Sequence, residues 1–177
     1  LTPTFGLRIG LLIHYISDIK HVKDMSDTLK TIIFVCTSNT CRSPIAESFG
    51  NLMTNFQCSS RGLTAAYEPP GSPPAANAVA CLKEDFGIDH SAHRSSLLTE
   101  LDLIEADYIV GLTKNHITHI KKTFPIAKNP EMARKMVTIG SDIEDPWHQE
   151  QAVYRTCAHQ IHEQIPKLAA RLEETSS

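Results

Sequence analysis

Apolar positions along this chain change their spacing in a regular way. From Met25 onward, short apolar runs alternate with longer stretches in which apolar residues recur every three or four positions. Ile32-Ile33-Phe34-Val35 has no polar interruption, the pattern of a strand buried on both faces. The next stretch predicts a helix, with Ser43 as N-cap, Pro44 in the first turn and a stripe of Ile45, Phe49, Leu52, Met53 and Phe56. Phe56 to Arg61 offers a second, weaker strand, Tyr108 to Leu112 a third and Met136 to Ile139 a fourth. Tyr67 to Pro74 carries four prolines and a glycine and reads as a loop. Ser72-Pro73-Pro74 opens a helix with Ala78, Val79, Leu82 and Phe86 on one face, stopped by Gly87. Short helices are expected around Thr99 to Glu105 and from Asn115 to Thr123. Val153, Cys157, Ile161, Ile165, Leu168 and Leu172 predict a long last helix. Pro166 should kink or break it, since an interior proline costs ~3 kcal/mol.

This alternation predicts an α/β fold: a three-layer sandwich with a four-stranded parallel sheet and helices on both faces. Ligands in such folds sit beyond the carboxyl ends of the strands. The chain's 177 residues suit one domain, over 25–177. Residues 1–24 read as an N-terminal extension, non-native or disordered. Ile9 to Ile16 is far shorter than the ~20 residues of a membrane helix, and charged residues follow it without a small-residue cleavage site.

Composition changes this picture little. The apolar set is 41% and charged residues 21%, with a net charge of −3, which gives no electrostatic reason to expect nucleic acid or an anionic membrane as a partner. Five cysteines, an odd number without framework spacing, argue against a secreted disulfide scaffold and for a reducing, cytoplasmic setting. Cys58, Cys81 and Cys157 fall in apolar or helical patterns and read as core residues. His90/His93, His116/His119 and His159/His162 stand three apart and read as solvated helix faces rather than metal sites. The chain is expected to be monomeric.

The chemistry lies in Cys36-Thr37-Ser38-Asn39-Thr40-Cys41-Arg42-Ser43, directly after the first strand. A tight loop ending at a helix N-terminus offers successive backbone N–H groups to a tetrahedral oxyanion. Arg42 adds a planar fork able to bond two oxygens at once. Cys36, at the floor, meets the same amides, the helix dipole and Arg42, each of which favours thiolate over thiol. Ser43 can donate a hydrogen bond to that thiolate. Asp145, held by Pro146 after the last strand, is the candidate proton donor to a leaving group. The expected reaction passes through a cysteinyl-phosphate and needs no metal or other cofactor.

Val35 to Glu47, with Cys36, Asn39, Cys41-Arg42-Ser43-Pro44 and Ile45-Ala46, resembles the signature of low-molecular-weight protein tyrosine phosphatases and their bacterial relatives. The resemblance continues through Pro74-Ala75-Ala76, Gly87-Ile88-Asp89, His93-Arg94-Ser95 and Ala106-Asp107 to Asp145-Pro146 and Val153-Tyr154. It implies that Cys36 is the nucleophile, Arg42 the phosphate binder and Asp145 the general acid and base, acting on phosphorylated proteins. Asn39, Ser43, Ser60 and His93 match a network that shapes the loop, and Cys41 a second cysteine able to form a protective disulfide with the nucleophile. Thr40 stands where tyrosine-directed members mostly carry a bulkier aliphatic residue, and resembles the protein-arginine phosphatases. Trp147, one aromatic residue after Asp-Pro where tyrosine enzymes usually place two tyrosines, points the same way. Two departures are evident. Ser38 stands where glycine is frequent, so a positive φ there would strain it. Trp147-His148-Gln149 replaces a glycine-rich continuation and changes the pocket wall.

The leading expectation is therefore a cysteine-dependent phosphatase acting on protein phosphoarginine, with phosphotyrosine as the alternative. Two further readings are an arsenate reductase and an inactive phosphate-binding module. The first lacks its downstream cysteine pair, because no cysteine lies between Cys81 and Cys157. The second is opposed by an intact Cys36, Arg42 and Asp145.

Overall fold

The computed structural model describes residues 29–175; the expected extension at 1–24 lies outside them. Strand β1 (Lys30–Cys36) leads into α1 (Arg42–Gly50), β2 (Phe56–Gly62), α2 (Ala76–Phe86), α3 (Glu100–Glu105) and β3 (Tyr108–Gly111). There follow α4 (Lys114–Thr123), a 3-10 turn (Pro125–Lys128), α5 (Pro130–Arg134), β4 (Met136–Thr138) and α6 (Gln151–Glu174). The strands form one parallel sheet in the order β2-β1-β3-β4. Core clusters lie on both faces of this sheet, so the three-layer expectation holds.

Alternation along β1 explains the two cores. Ile32 and Phe34 enter a cluster with Ile45, Phe49, Leu82 and the Tyr154 to Leu172 face of α6. Ile33 and Val35 point to the other face, against Leu103, Ile109, Ile117 and Ile120. A strand between two apolar layers has no place for a polar residue, which is why its run is unbroken. Cys58, Cys81 and Cys157 are core residues as expected. Burial pushes the thiols of Cys58 and Cys157 up to about 12.

The helix boundaries depart from the apolar pattern in three places. Helix α1 ends at Gly50, so Leu52 is exposed and Phe56 is a strand residue. Asn51 diverts the chain: its side chain accepts from Cys58 N at 2.9 Å and donates to Cys58 O at 3.1 Å, tying the turn to β2. Helix α2 starts at Ala76 rather than Ser72, because prolines hold their predecessors extended and Ala75 N donates to Thr40 O at 2.8 Å. Helix α6 runs unbroken through Pro166. That proline is exposed, as is His162, whose carbonyl loses its helical donor and can turn to water.

Strand β1 has β2 on one side and β3 on the other, so the chain leaves it in opposite directions across the sheet. The loop from Thr37 to Cys41 opens at this switch point, over the carboxyl ends of the strands.

Candidate active site

The loop's carbonyl groups are tied down from outside. Cys36 O accepts from Leu63 N at 3.1 Å, and Thr37 O from Leu63 N and Thr64 N at 2.8 and 3.1 Å. Asn39 O meets His93 Nε2 at 3.1 Å, and Thr40 O meets Ala75 N. A peptide unit is planar, so a carbonyl facing outward turns the next N–H the other way. The N–H groups of Thr37, Ser38, Thr40 and Cys41 therefore converge on the bowl. Gly62 permits the close approach behind it, since a Cβ there would lie 3.0 Å from the Ser38 carbonyl carbon.

The strained position of the loop is Asn39, not Ser38. Asn39 has φ 59°, a left-handed conformation that asparagine tolerates better than serine does. Its fully buried side chain then directs the surrounding hydroxyls. Asn39 Nδ2 donates to Ser43 Oγ at 3.0 Å and Ser60 Oγ at 2.8 Å, while Oδ1 accepts from Ser96 N at 2.9 Å. Ser60 Oγ in turn donates a hydrogen bond to Glu47 Oε2 at 2.5 Å. Ser43, already accepting, faces Cys36 Sγ at 3.0 Å, with Arg61 O more distant at 3.4 Å. The network is thus directional and ends on the Cys36 sulfur.

Arg42 and Asp145 meet across the mouth. Arg42 Nη2 lies 2.5 Å from Asp145 Oδ2, and Nη1 donates to Ile143 O at 3.1 Å. The guanidinium is buried, whereas the Asp145 side chain is 45% exposed and can swing outward. Arg42 Nε is buried and bonds to no protein atom. Leaving such a donor unpaired costs ~1–3 kcal/mol, which an oxyanion accepting from the fork relieves. Trp147 N donates to Asp145 Oδ1 at 3.2 Å and orients the carboxylate.

A pocket of about 220 Å³ has Cys36, Thr37, Ser38, Thr40, Cys41, Arg42 and Asp145 on its surface, with Tyr67 and Trp147 as outer walls. The structure thus brings together the loop residues, Arg42, Asp145 and Trp147, and puts Ser60 and His93 behind the loop through Asn39. The Cys41 thiol has its partner on α6. Its sulfur lies 3.3 Å from Tyr154 Oη, and burial pushes its thiol up to about 11.

Sequence reasoning missed Tyr67 and His116 here. Tyr67, in the proline-rich loop, packs edge-on against Trp147 with ring centroids 5.2 Å apart. Its fully irregular surroundings gave no periodicity to read. His148, beside Trp147, adopts φ 59° where the resemblance led one to expect glycine.

The second missed residue is His116, expected on a solvated face but only 6% exposed. It caps α4: Thr113 N donates to His116 Nδ1 at 3.1 Å and His116 N to Thr113 Oγ1 at 3.3 Å. With Nδ1 accepting, the neutral ring carries its proton on Nε2, 3.4 Å from Thr37 Oγ1. Arg42 Nη2 also approaches that oxygen, at 3.3 Å, so the Thr37 hydroxyl proton is left to point elsewhere. Burial first, and Arg42 second, lower the His116 pKa from 6.5 to about 4. A lowered histidine pKa gives stability that is complete above 6.5 and lost as pH falls towards 4. From pH 7.5 to 5 this group alone should remove about 2 kcal/mol. Urea titrations of wild type and His116→Asn check this: the variant should lose that part of the slope, and equal slopes would refute it. The other pairs divide. His159 and His162 are exposed on α6 as expected, whereas His90 and His93 lie in a half-buried loop.

Fold and site together present a pocket over the carboxyl end of β1, lined by Cys36, Arg42 and Asp145. Residues 31–177 match the sequence model of the family described as low molecular weight phosphotyrosine protein phosphatase. A protein-arginine-phosphatase of Geobacillus stearothermophilus is 35% identical over 146 residues, covering 80% of this chain and 95% of the relative. The low molecular weight protein-tyrosine-phosphatase PtpB of Staphylococcus aureus is 31% identical, covering 81% and 96%. A crystal structure of a low molecular weight protein tyrosine phosphatase from T. tengcongensis superposes with a TM-score of 0.71 at 34% identity, covering 80% and 99%. The chain belongs to the low molecular weight phosphotyrosine protein phosphatase family. It is a cysteine-dependent protein phosphatase. No helix among the described residues is long and apolar enough to cross a membrane.

Proposed function

We propose that this phosphatase hydrolyses phosphoarginine in proteins. Cys36 attacks phosphorus, the P–N bond breaks, and Asp145 gives its proton to the departing guanidine nitrogen. Asp145, now a carboxylate, takes a proton from water; that water attacks phosphorus and the S–P bond breaks. Ser43, 3.0 Å from the sulfur, donates to the leaving thiolate. Arg42 and the loop N–H groups hold the equatorial oxygens throughout. Thr37, Ser38, Thr40 and Cys41 supply the cradle, and Asn39, Ser60 and His93 hold it in shape.

The observation that carries the arginine reading is Thr40. Its side chain is 5% exposed and sits on the pocket wall where a bulkier aliphatic residue would meet an aromatic ring. A hydroxyl there suits a polar guanidinium. The Geobacillus relative, named a protein-arginine-phosphatase, supports this reading. Trp147 is the second specificity residue, as an outer wall. Phosphotyrosine is the second reading, favoured by the Tyr67–Trp147 pair, an aromatic rim able to receive a phenyl ring.

Measured kcat/KM values on phosphoarginine and phosphotyrosine peptides separate the two. Phosphoarginine is expected to lead, and a tyrosine preference above about tenfold, or ~1.4 kcal/mol in transition-state binding, would overturn the proposal. Thr40→Ile should move the ratio towards phosphotyrosine; an unchanged ratio would remove Thr40 as a selector.

A further inference from the structure

Behind the phosphate loop lies a group of side chains that the hydrolytic reaction does not use as ligands. Glu47, His90 and His93 each offer one donor atom, and these three atoms lie within 4.8 Å of one another. The chain presents them from two elements. Glu47 comes from α1, and the two histidines from a turn closed by His93 N donating to His90 O at 3.2 Å. That turn brings residues three apart to the same side.

Each donor is prepared for a cation. His93 Nε2 faces the Asn39 carbonyl at 3.1 Å, so its proton sits there and the neutral ring keeps a lone pair on Nδ1, 3.5 Å from Glu47 Oε2. Metal-bound histidines are oriented in this way, the second nitrogen donating to a backbone carbonyl or carboxylate. His90 Nε2 is buried and bonds to no protein atom. The two imidazole centroids are 5.1 Å apart with planes 19° from parallel. The pair is stacked, so one ring must turn to bring both lone pairs onto a single ion. From these positions the donor atoms need to close by no more than about 1.5 Å to form a tetrahedral shell.

The geometry points to a divalent transition-metal site formed by Glu47, His90 and His93, with zinc the best match to two imidazoles and one carboxylate. Water completes the fourth position. The ion does not enter the hydrolytic reaction, since none of its three ligands is on the pocket surface. Its effect is to fasten the loop: His93 reaches the Asn39 carbonyl and Glu47 accepts a hydrogen bond from Ser60, so both ligands grip the Asn39 network from behind.

The test uses the full chain with Cys36→Ser, which removes the reactive thiol at the floor of the pocket. Zn²⁺ titrated by calorimetry should bind at one equivalent with a Kd of about 1 µM or tighter, and ~100 µM Zn²⁺ should raise Tm. His90→Gln should weaken binding by at least about tenfold, and in the Cys36 background it should leave metal-free turnover unchanged. Glu47→Gln should weaken binding likewise. Co²⁺ in place of Zn²⁺ should show no thiolate-to-metal charge-transfer band, since no cysteine is a ligand. Absence of binding, binding that His90→Gln leaves intact, or a thiolate band would each overturn the site.

Discussion

Cys36→Ser should leave a folded protein with essentially no turnover, a loss of about 10⁴-fold or more, because covalent catalysis is removed rather than weakened. Serine keeps the shape of the site but not the nucleophile. A serine hydroxyl has no readily formed anion, and Ser43 at 3.0 Å would then bond an alcohol oxygen instead of a thiolate. Steady-state kcat on a phosphopeptide tests this, together with a phosphate-binding measurement on the same variant. Retained phosphate binding with lost turnover is the expected pair of results. Turnover within about tenfold of wild type would overturn the covalent mechanism.

Asp145→Asn should lower kcat by about 10²–10⁴-fold, the usual contribution of a positioned acid. The loss should be largest with poorly departing groups such as guanidine and smaller with an activated aryl phosphate, where the leaving group needs less help. Inorganic phosphate should bind the variant at least as well as wild type. Asp145 competes for Arg42 at rest, 2.5 Å from Nη2, and an amide competes less. Equal losses on both kinds of substrate would argue that Asp145 only orders the pocket. Weaker phosphate binding would argue the same.

Legibility in the sequence followed the physics of each feature. The inner strands were readable because both faces of the sheet are apolar there, leaving runs such as Ile32 to Val35 without interruption, whereas the edge strand β2 alternates and gave a weaker signal. The loop was readable because its chemistry needs particular residue types in a short contiguous stretch. Asp145 lies 103 residues from Arg42 and was readable only through its proline and the resemblance. Elsewhere tertiary contacts decided. Leu52 and Phe56 continued a helical stripe on paper, but Asn51 bonds β2 and stops the helix. Ser38 seemed the strained residue, yet Asn39 carries the positive φ, because the asparagine side chain is what the surrounding hydroxyls require. His116 followed the same i, i+3 spacing as the surface histidines. Only the cap on α4 and the packing under Thr37 distinguish it, and neither leaves a periodic signal.

The bowl that receives the phosphate is not shaped by its own residues alone. Its carbonyls are anchored by Leu63 and Thr64 after β2, by Ala75 before α2 and by His93 in the following loop. Three distant stretches of chain must therefore reach their native positions before the amides converge. Catalytic competence is in this sense a property of the assembled domain: no excised loop peptide inherits it, and it cannot outlast the fold. The same anchoring means the amides already face inward before an anion arrives, so binding asks for no rearrangement of the backbone that does the holding.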